Sequence, residues 1–209
     1  MNNQWKVYLK KTIALLPAVV LLAFGISLSL SAGLGADLYT SFQEGLAVLA
    51  GTDVGTMNTI FNVCITLVFL VVNRRLINIG SLVMCAVVGP CMTIFIKILD
   101  TIISGQNPAM GIRILISCIG TVLIALALSW YILLDVGLQP MDMIVATIAK
   151  ALKKTYGIGS YVFNVLLLIG CLLVGSTIGI GTIINFACIG KLVDFFMPKM
   201  KPIINKVLR

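Results

Sequence analysis

Long apolar segments constrain this 209-residue chain more than any other feature of its sequence. A bilayer core about 30 Å thick requires about 20 helical residues. Six stretches reach that length, at about 12–32, 54–72, 76–99, 111–134, 157–175 and 178–197. The chain is 60% apolar and 11% charged, whereas soluble domains average roughly 45–50% and 25%. The sequence therefore predicts an all-α polytopic membrane protein with six transmembrane helices.

Two shorter segments, 36–50 and 140–152, also have helical periodicity. As helices they would measure only about 20–22 Å, which is too short to cross a bilayer. Their polar and apolar residues fall on opposite faces, so both are expected to be amphipathic. Pro140 suits the first position of the second segment, where its missing N–H costs nothing. Such short helices either lie at the membrane interface or re-enter the membrane, and both arrangements remain open.

The basic residues indicate the orientation of the chain. With six crossings, most lysines and arginines fall on one side: Lys6, Lys10, Lys11, Arg74, Arg75, Lys150, Lys153, Lys154, Lys199, Lys201, Lys206 and Arg209. The positive-inside rule assigns that side, and with it both termini, to the cytoplasm. The formal net charge of +8 is therefore explained without nucleic acid, and no nucleic-acid partner is predicted.

The second half of the sequence repeats features of the first. Residues 55–65 and 157–167 share 4 of 11 residues, including Phe-Asn-Val at 61–63 and 163–165, and residues 79–89 and 180–190 also share 4 of 11. Composition alone would give about one identity in each window. A single membrane domain, 1–209, is thus predicted to contain two halves, 1–104 and 105–209, each with three crossings. Because three is odd, the halves should have opposite orientations, as in a 3+3 inverted-topology repeat.

Several kinds of chemistry are disfavoured by composition. Histidine is absent, which removes the commonest proton switch and the commonest metal ligand. The six cysteines stand singly within apolar runs and are interpreted as packing residues rather than as disulfides or metal ligands. Without histidine or paired acids, neither a Ser-His nor an aspartyl-dyad site can form. We therefore expect no enzymatic activity, no cofactor and no metal.

Polar residues at membrane depth are the candidates for a solute site. Asn62 and Asn164 occupy matched positions in the two halves. An unpaired amide in hydrocarbon costs several kcal/mol, so each should face either a neighbouring helix or a cavity. The free N–H groups that begin the short helices could also face an anionic solute. The full set of candidate residues is Asn62, Asn164, Asp37, Asp142, Gln139, Asn185 and Thr182.

Four segments of the second half resemble motifs of the YitT/YczE-like family of bacterial integral membrane proteins. They are Gly137-Leu138-Gln139-Pro140-Met141-Asp142, Phe163-Asn164, and Ile178-Gly179-Ile180-Gly181-Thr182 with Ile189-Gly190-Lys191-Leu192-Val193-Asp194. The resemblance covers nearly the whole chain, although relatives often have an aromatic residue where this chain has Met141. It implies a multi-pass protein of the bacterial plasma membrane, with transport as the function proposed for the family.

These observations predict a small-solute secondary transporter or facilitator with its substrate site between the two halves. The alternative is a substrate-binding or accessory subunit of a larger membrane complex, because Ala14-x-x-x-Ala18 is similar to the docking motif of energy-coupling-factor modules. A membrane regulator is a third hypothesis. The expected partners are the lipid bilayer and a small solute, with a second copy of the chain or a partner membrane subunit also considered.

Overall fold

The computed structural model describes residues 2–103, 108–154 and 156–208. All regular structure in these ranges is helical. The eight α-helices are α1 Asn2–Ser31, α2 Leu38–Ala50, α3 Val54–Val72, α4 Ile79–Ile103, α5 Met110–Leu134, α6 Pro140–Ala151, α7 Tyr156–Val174 and α8 Ile180–Leu208, with a 3-10 turn at Arg74–Leu76. The predicted boundary between the halves, at residues 104 and 105, and the terminal Arg209 lie outside the described residues.

Within the described ranges, five helices are long and apolar enough to cross a membrane, which confirms a multi-pass membrane protein. Their spanning parts are Lys10–Ser31, Val54–Val72, Ile79–Ile102, Met110–Leu134 and Ile180–Lys206. The sixth predicted crossing corresponds to α7, whose apolar part, Ile158–Val174, is shorter, at 17 residues. The two short helices fall where the sequence predicts them, at α2 and α6.

The helices are arranged in two groups of four. In the first bundle, α1 packs against α4 and α5, and α5 packs against α8. In the second bundle, α2 packs against α3 and α7, and α6 packs against α7 and α3. Each bundle has its own apolar core: Leu15, Met92 and Leu134 lie in the first, and Val145 and Phe163 lie in the second. The two bundles pack closely together along α3 and α4.

The first bundle is centred on a close crossing of α1 and α5. A Cβ atom on Gly25 would lie 3.0 Å from the backbone nitrogen of Ile124 and 3.1 Å from the carbonyl oxygen of Gly120. Glycine, which has no Cβ atom, lets two helix backbones approach this closely, as is common in membrane bundles. α1 and α5 thereby form the centre, with α4 and α8 on either side.

The loop that follows each of these central helices is tied to the other half of the chain. The N–H of Gly181 in α8 donates to the carbonyl oxygen of Leu34 at 2.8 Å, and that of Gly80 in α4 donates to Val136 at 3.0 Å. Gly35 (φ 83°) and Gly137 (φ 125°) have positive φ values that favour glycine, and a Cβ atom on either would collide with its neighbours. These loops return the chain from the ends of α1 and α5 to the starts of α2 and α6.

The polar face of α2 points into the protein rather than toward water. Thr40, Ser41 and Gln43 are buried, whereas Val48 and Leu49 are 76% and 69% exposed. A helix lying at the interface would present its polar face to water. The structure therefore favours, for α2, insertion beside its neighbouring helices over a position at the membrane surface.

The six cysteines are free thiols. Cys85 and Cys171 are buried, as expected for packing residues, but Cys64 and Cys188 are exposed. These two thiols therefore lie on the outer surfaces of α3 and α8 rather than between helices.

Candidate functional site

A large cavity lies between the two bundles, where α7 faces α8. Its volume is about 1190 Å³. Among the described residues, α7 and α8 do not pack along one another, and the rings of Tyr161 and Phe186 meet across the gap with centroids 6.4 Å apart. Leu128, Tyr131 and Ile132 of α5 form another part of the cavity wall. We refer to this space as the main cavity.

A smaller cavity of about 150 Å³, the inner chamber, adjoins the main cavity. The two share four lining residues, namely Asp37, Leu128, Met141 and Ile189. The inner chamber is lined by Tyr39 and Thr40 at the start of α2 and by Gln139 and Pro140 at the start of α6. The N-termini of both short helices thus meet at this chamber.

Six of the seven residues chosen from the sequence line one of these two spaces. Asn164, Asp142 and Asn185 line the main cavity, Asn62 and Gln139 line the inner chamber, and Asp37 lines both. Thr182 lines neither, because it lies in the first turn of α8, where its hydroxyl accepts from the N–H of Gly179 at 3.4 Å. The structure thus brings six candidates together, and whether they bind a solute stays a prediction.

A chain of buried hydrogen bonds runs along one wall of the inner chamber. The Tyr39 hydroxyl donates to Asn62 Oδ1 at 2.5 Å, Asn62 Nδ2 donates to Asn58 Oδ1 at 3.0 Å, and Asn58 Nδ2 donates to Gln43 Oε1 at 2.7 Å. Tyr39 and Gln43 were missed in the sequence. Their i, i+4 spacing, which places both on one face of α2, is the signal that could have found them.

Asn164 and Asn185 have different surroundings. Asn164 Nδ2 donates within its own helix, to the carbonyl oxygen of Ser160 at 2.9 Å, and the side chain borders the main cavity while being only partly buried. Asn185 is fully buried, and its amide connects Gly181 in α8 with Thr121 in α5. A contact between helices is therefore the better interpretation of Asn185, whereas Asn164 is placed to meet a solute.

The carboxyl group of Asp37 holds the start of α2. The N–H of Thr40 donates to Asp37 Oδ1 at 3.1 Å and the Thr40 hydroxyl donates to Oδ2 at 2.7 Å, so Asp37 is the N-cap of α2. Burial raises the pKa of Asp37 above its usual value, although the bonds from Thr40 oppose this change. At the start of α6, by contrast, the side chain of the N-cap residue Gln139 makes no capping hydrogen bond.

Acidic groups outnumber basic groups at the main cavity. The charged residues that line it, among those the structure describes, are four acids and one base, namely Asp37, Asp135, Asp142, Asp194 and Arg75. Asp142 lies 3.5 Å from the hydroxyl of Tyr131. In the part of the chain that the structure describes, no three acidic or cysteine side chains come together in a way that could hold a metal ion. The groups that line the cavity are therefore carboxyl, amide and aromatic side chains.

The similarity of this chain to known families covers all of these residues. The family model that matches residues 9–198 is described as a family of unknown function, DUF6198. The chain belongs to the DUF6198 family. An uncharacterized protein of Haemophilus influenzae is 24% identical over 196 residues, or 94% of this chain and 87% of that protein. Uncharacterized protein YyaS of Bacillus subtilis is 24% identical over 180 residues, or 86% of this chain and 89% of that protein. No solved structure matches.

Membership of the DUF6198 family establishes a relationship and leaves the activity open. Every lining residue of both cavities lies between residues 9 and 198, so the whole site falls within the part of the chain that the family model matches. The finer resemblance to YitT/YczE-like proteins stays a prediction, because these matches carry other names.

Proposed function

We propose that this DUF6198 protein is a small-solute transporter or facilitator of the bacterial plasma membrane, and that the main cavity is its solute-binding site. The observation that carries the proposal is the cavity itself, at about 1190 Å³ between two bundles of membrane helices. Small-molecule sites usually measure about 300–1,000 Å³. Asp37 contributes to the lining from the first half of the chain, and Asn164 and Asp142 contribute from the second.

Reciprocal contacts support an inverted repeat. The bond from Gly181 to Leu34 joins α8, the last helix of the second half, to a loop of the first half. The bond from Gly80 to Val136 joins α4, the last helix of the first half, to a loop of the second half. α4 packs on α1 as α8 packs on α5, and the central crossing pairs α1 with its counterpart α5. Contacts that occur twice with exchanged roles are typical of a two-fold axis. In transporters with inverted repeats, the substrate site lies between the repeats.

The proposal has both termini in the cytoplasm, in accordance with the positive-inside rule. It includes no enzymatic step, cofactor or nucleic acid. A partner membrane subunit receives less support than a self-contained transporter, because Ala14 and Ala18, which resemble a docking motif, are 7% and 1% exposed within the first bundle. A docking motif would have to be accessible to its partner.

The experiment starts with purified protein and a thermal-shift panel of amino acids, amines, organic acids, sugars and nucleosides. A solute that binds only the folded protein raises its melting temperature. Any stabilising solute is then offered, radiolabelled, to proteoliposomes. We expect uptake by the wild type, and we expect Asn164→Ala to lose both the thermal shift and the uptake.

Asn205→Ala is the matched control, because Asn205 is exposed near the end of α8 and lines neither cavity. It should behave as the wild type in both assays. Solute binding without uptake would contradict transport and would favour a binding or accessory subunit. Unchanged uptake by Asn164→Ala would remove Asn164 from the site.

A further inference from the structure

Two corresponding pairs of helices have different arrangements in this structure. The repeated segments align residues 55–65 of α3 with 157–167 of α7, and residues 79–89 of α4 with 180–190 of α8. The α3–α4 pair and the α7–α8 pair are therefore counterparts. Each joins the first bundle to the second at one edge of the molecule, but α3 packs closely on α4 while α7 is separated from α8 by the main cavity.

The α3–α4 interface is closed by direct backbone contact. A Cβ atom on Gly55 would overlap the carbonyl oxygen of Gly89, and one on Gly89 would overlap that of Gly55. Farther along, Cys85 Sγ lies 3.1 Å from the hydroxyl of Thr66. At the start of α3, the carboxylate of Asp53 accepts a hydrogen bond from Thr93 of α4. Contact therefore extends over several helical turns.

The counterpart residues of α7 and α8 border open space. Gly190 corresponds to Gly89, and a Cβ atom on it would meet nothing within 4 Å. Phe186 corresponds to Cys85 and lines the main cavity, whereas Cys85 is only 5% exposed. One pair of helices is thus closed and its counterpart is open.

The two edges lead toward opposite ends of the molecule. Arg75 and Asn78, which line the main cavity, follow the C-terminal end of α3. The bond between Asp53 and Thr93 lies at the N-terminal end of α3. A helix of this length separates its ends by about 28 Å. A separation of α3 from α4 would therefore admit solute from the side of the membrane opposite to the present opening.

We infer that the α3–α4 interface is a second entrance to the same cavity, closed in this structure, and that the two entrances open alternately. The second bundle would rock against the first, so that α7 closes on α8 as α3 leaves α4. Because the helix pairs are counterparts, similar packing would form at one edge as the other edge separates, and the two states can be close in free energy. This inference rests on the proposed function, since alternation would supply a mechanism for transport.

The labelling rate of native Cys85 reports whether α3 and α4 are apart, and that of a cysteine introduced by Phe186→Cys reports whether α7 and α8 are apart. Purified protein in nanodiscs exposes both faces to a charged maleimide, and peptide mass spectrometry identifies each labelled cysteine. We expect Gly190→Trp, which obstructs closure of α7 on α8, to slow the labelling of Cys85 by about tenfold or more, because only the alternative state carries the steric clash. Gly111→Trp is the matched control, since Gly111 also has nothing within 4 Å and lies away from both edges.

Gly89→Ala and Gly89→Leu provide the opposite test in a Phe186→Cys background. Both should speed the labelling of Cys85 and slow the labelling of the thiol at position 186. If neither variant folds, the Gly190→Trp result decides, because that position is unobstructed in this structure.

Three results would overturn the inference. The first is that Cys85 reacts equally fast in Gly190→Trp and Gly111→Trp. The second is that Gly89→Ala makes both Cys85 and the thiol at position 186 more reactive. The third is that Cys85 stays unlabelled in the wild type and in every folded Gly89 variant. Because the labelling uses no solute, it can show that the two entrances do not alternate even if the solute assays show that the cavity binds and transports a solute. Conversely, the solute panel can fail while alternation is observed.

Discussion

Asn62 and Asn164 are the same residue in two copies of one motif, yet their surroundings differ. Asn62 is 6% exposed, is bonded to Tyr39 and Asn58, and borders only the small inner chamber. Asn164 donates to Ser160 within its own helix, and it borders the main cavity. The local sequence determines which residue faces inward, whereas the packing of the two bundles determines whether that residue meets protein or open space.

The largest effect should come from closing the space between glycines. Gly89→Val places three carbon atoms against the backbone of α3, and overpacking of this kind costs the arrangement seen here about 3 kcal/mol. Unfolding measures the part of this cost that a separation of α3 from α4 does not relieve. Gly190→Val should cost almost nothing, because its Cβ position is open. Thermal unfolding of both variants in detergent, followed by tryptophan fluorescence, measures the difference. Equal losses would mean that the packing of α3 on α4 contributes no more to the stability of the protein than the contacts between α7 and α8.

An intermediate effect is expected from the matched amides. Asn62→Ala removes the amide that accepts from the buried Tyr39 hydroxyl and donates to Asn58, which costs about 2 kcal/mol. Asn164→Ala removes only bonds within α7 and should change stability by less than about 0.5 kcal/mol. Chemical denaturation of the two variants tests this order. A greater loss of stability in Asn164→Ala would contradict the comparison of their surroundings.

Much of the fold was predictable from periodicity and from local chemistry. The positions of the two short helices follow from their apolar spacing, and their starts follow from the capping side chain of Asp37 and the fixed φ of Pro140. Five of the crossings follow from length and composition. These features are local, so a single sequence is sufficient to find them.

The arrangement of the helices could not be found in the same way. An amphipathic pattern does not say whether a polar face meets water or protein, so the burial of Thr40 and Gln43 required the structure. The repeat predicts equal surroundings for Asn62 and Asn164, and the difference between them depends on contacts between distant helices. Thr182 was chosen as a polar residue at membrane depth, but its hydroxyl contacts the backbone at the start of α8.

The smallest effect should come from the acidic residue that closes the N-terminal end of the α3–α4 interface. Partial burial raises the pKa of Asp53, but hydrogen bonds from Thr56 and Thr93 outweigh it and lower the pKa from 3.8 to about 2. The stabilisation from the charged form is therefore complete above about pH 4 and is lost as the pH falls from 3.8 to about 2. Because Asp53 is exposed, the contribution should be below about 1 kcal/mol.

Asp53→Asn isolates this charge, since asparagine also caps helices well. The variant should be slightly less stable than the wild type at pH 7, and the difference in melting temperature should disappear as the pH approaches 2. Thr93→Val keeps the cap on α3 but removes the bond to α4. It should raise the pKa of Asp53 and shift the pH window upward. A difference between the wild type and Asp53→Asn that is constant from pH 7 to pH 2 would show that the charge of Asp53 does not hold α3 against α4.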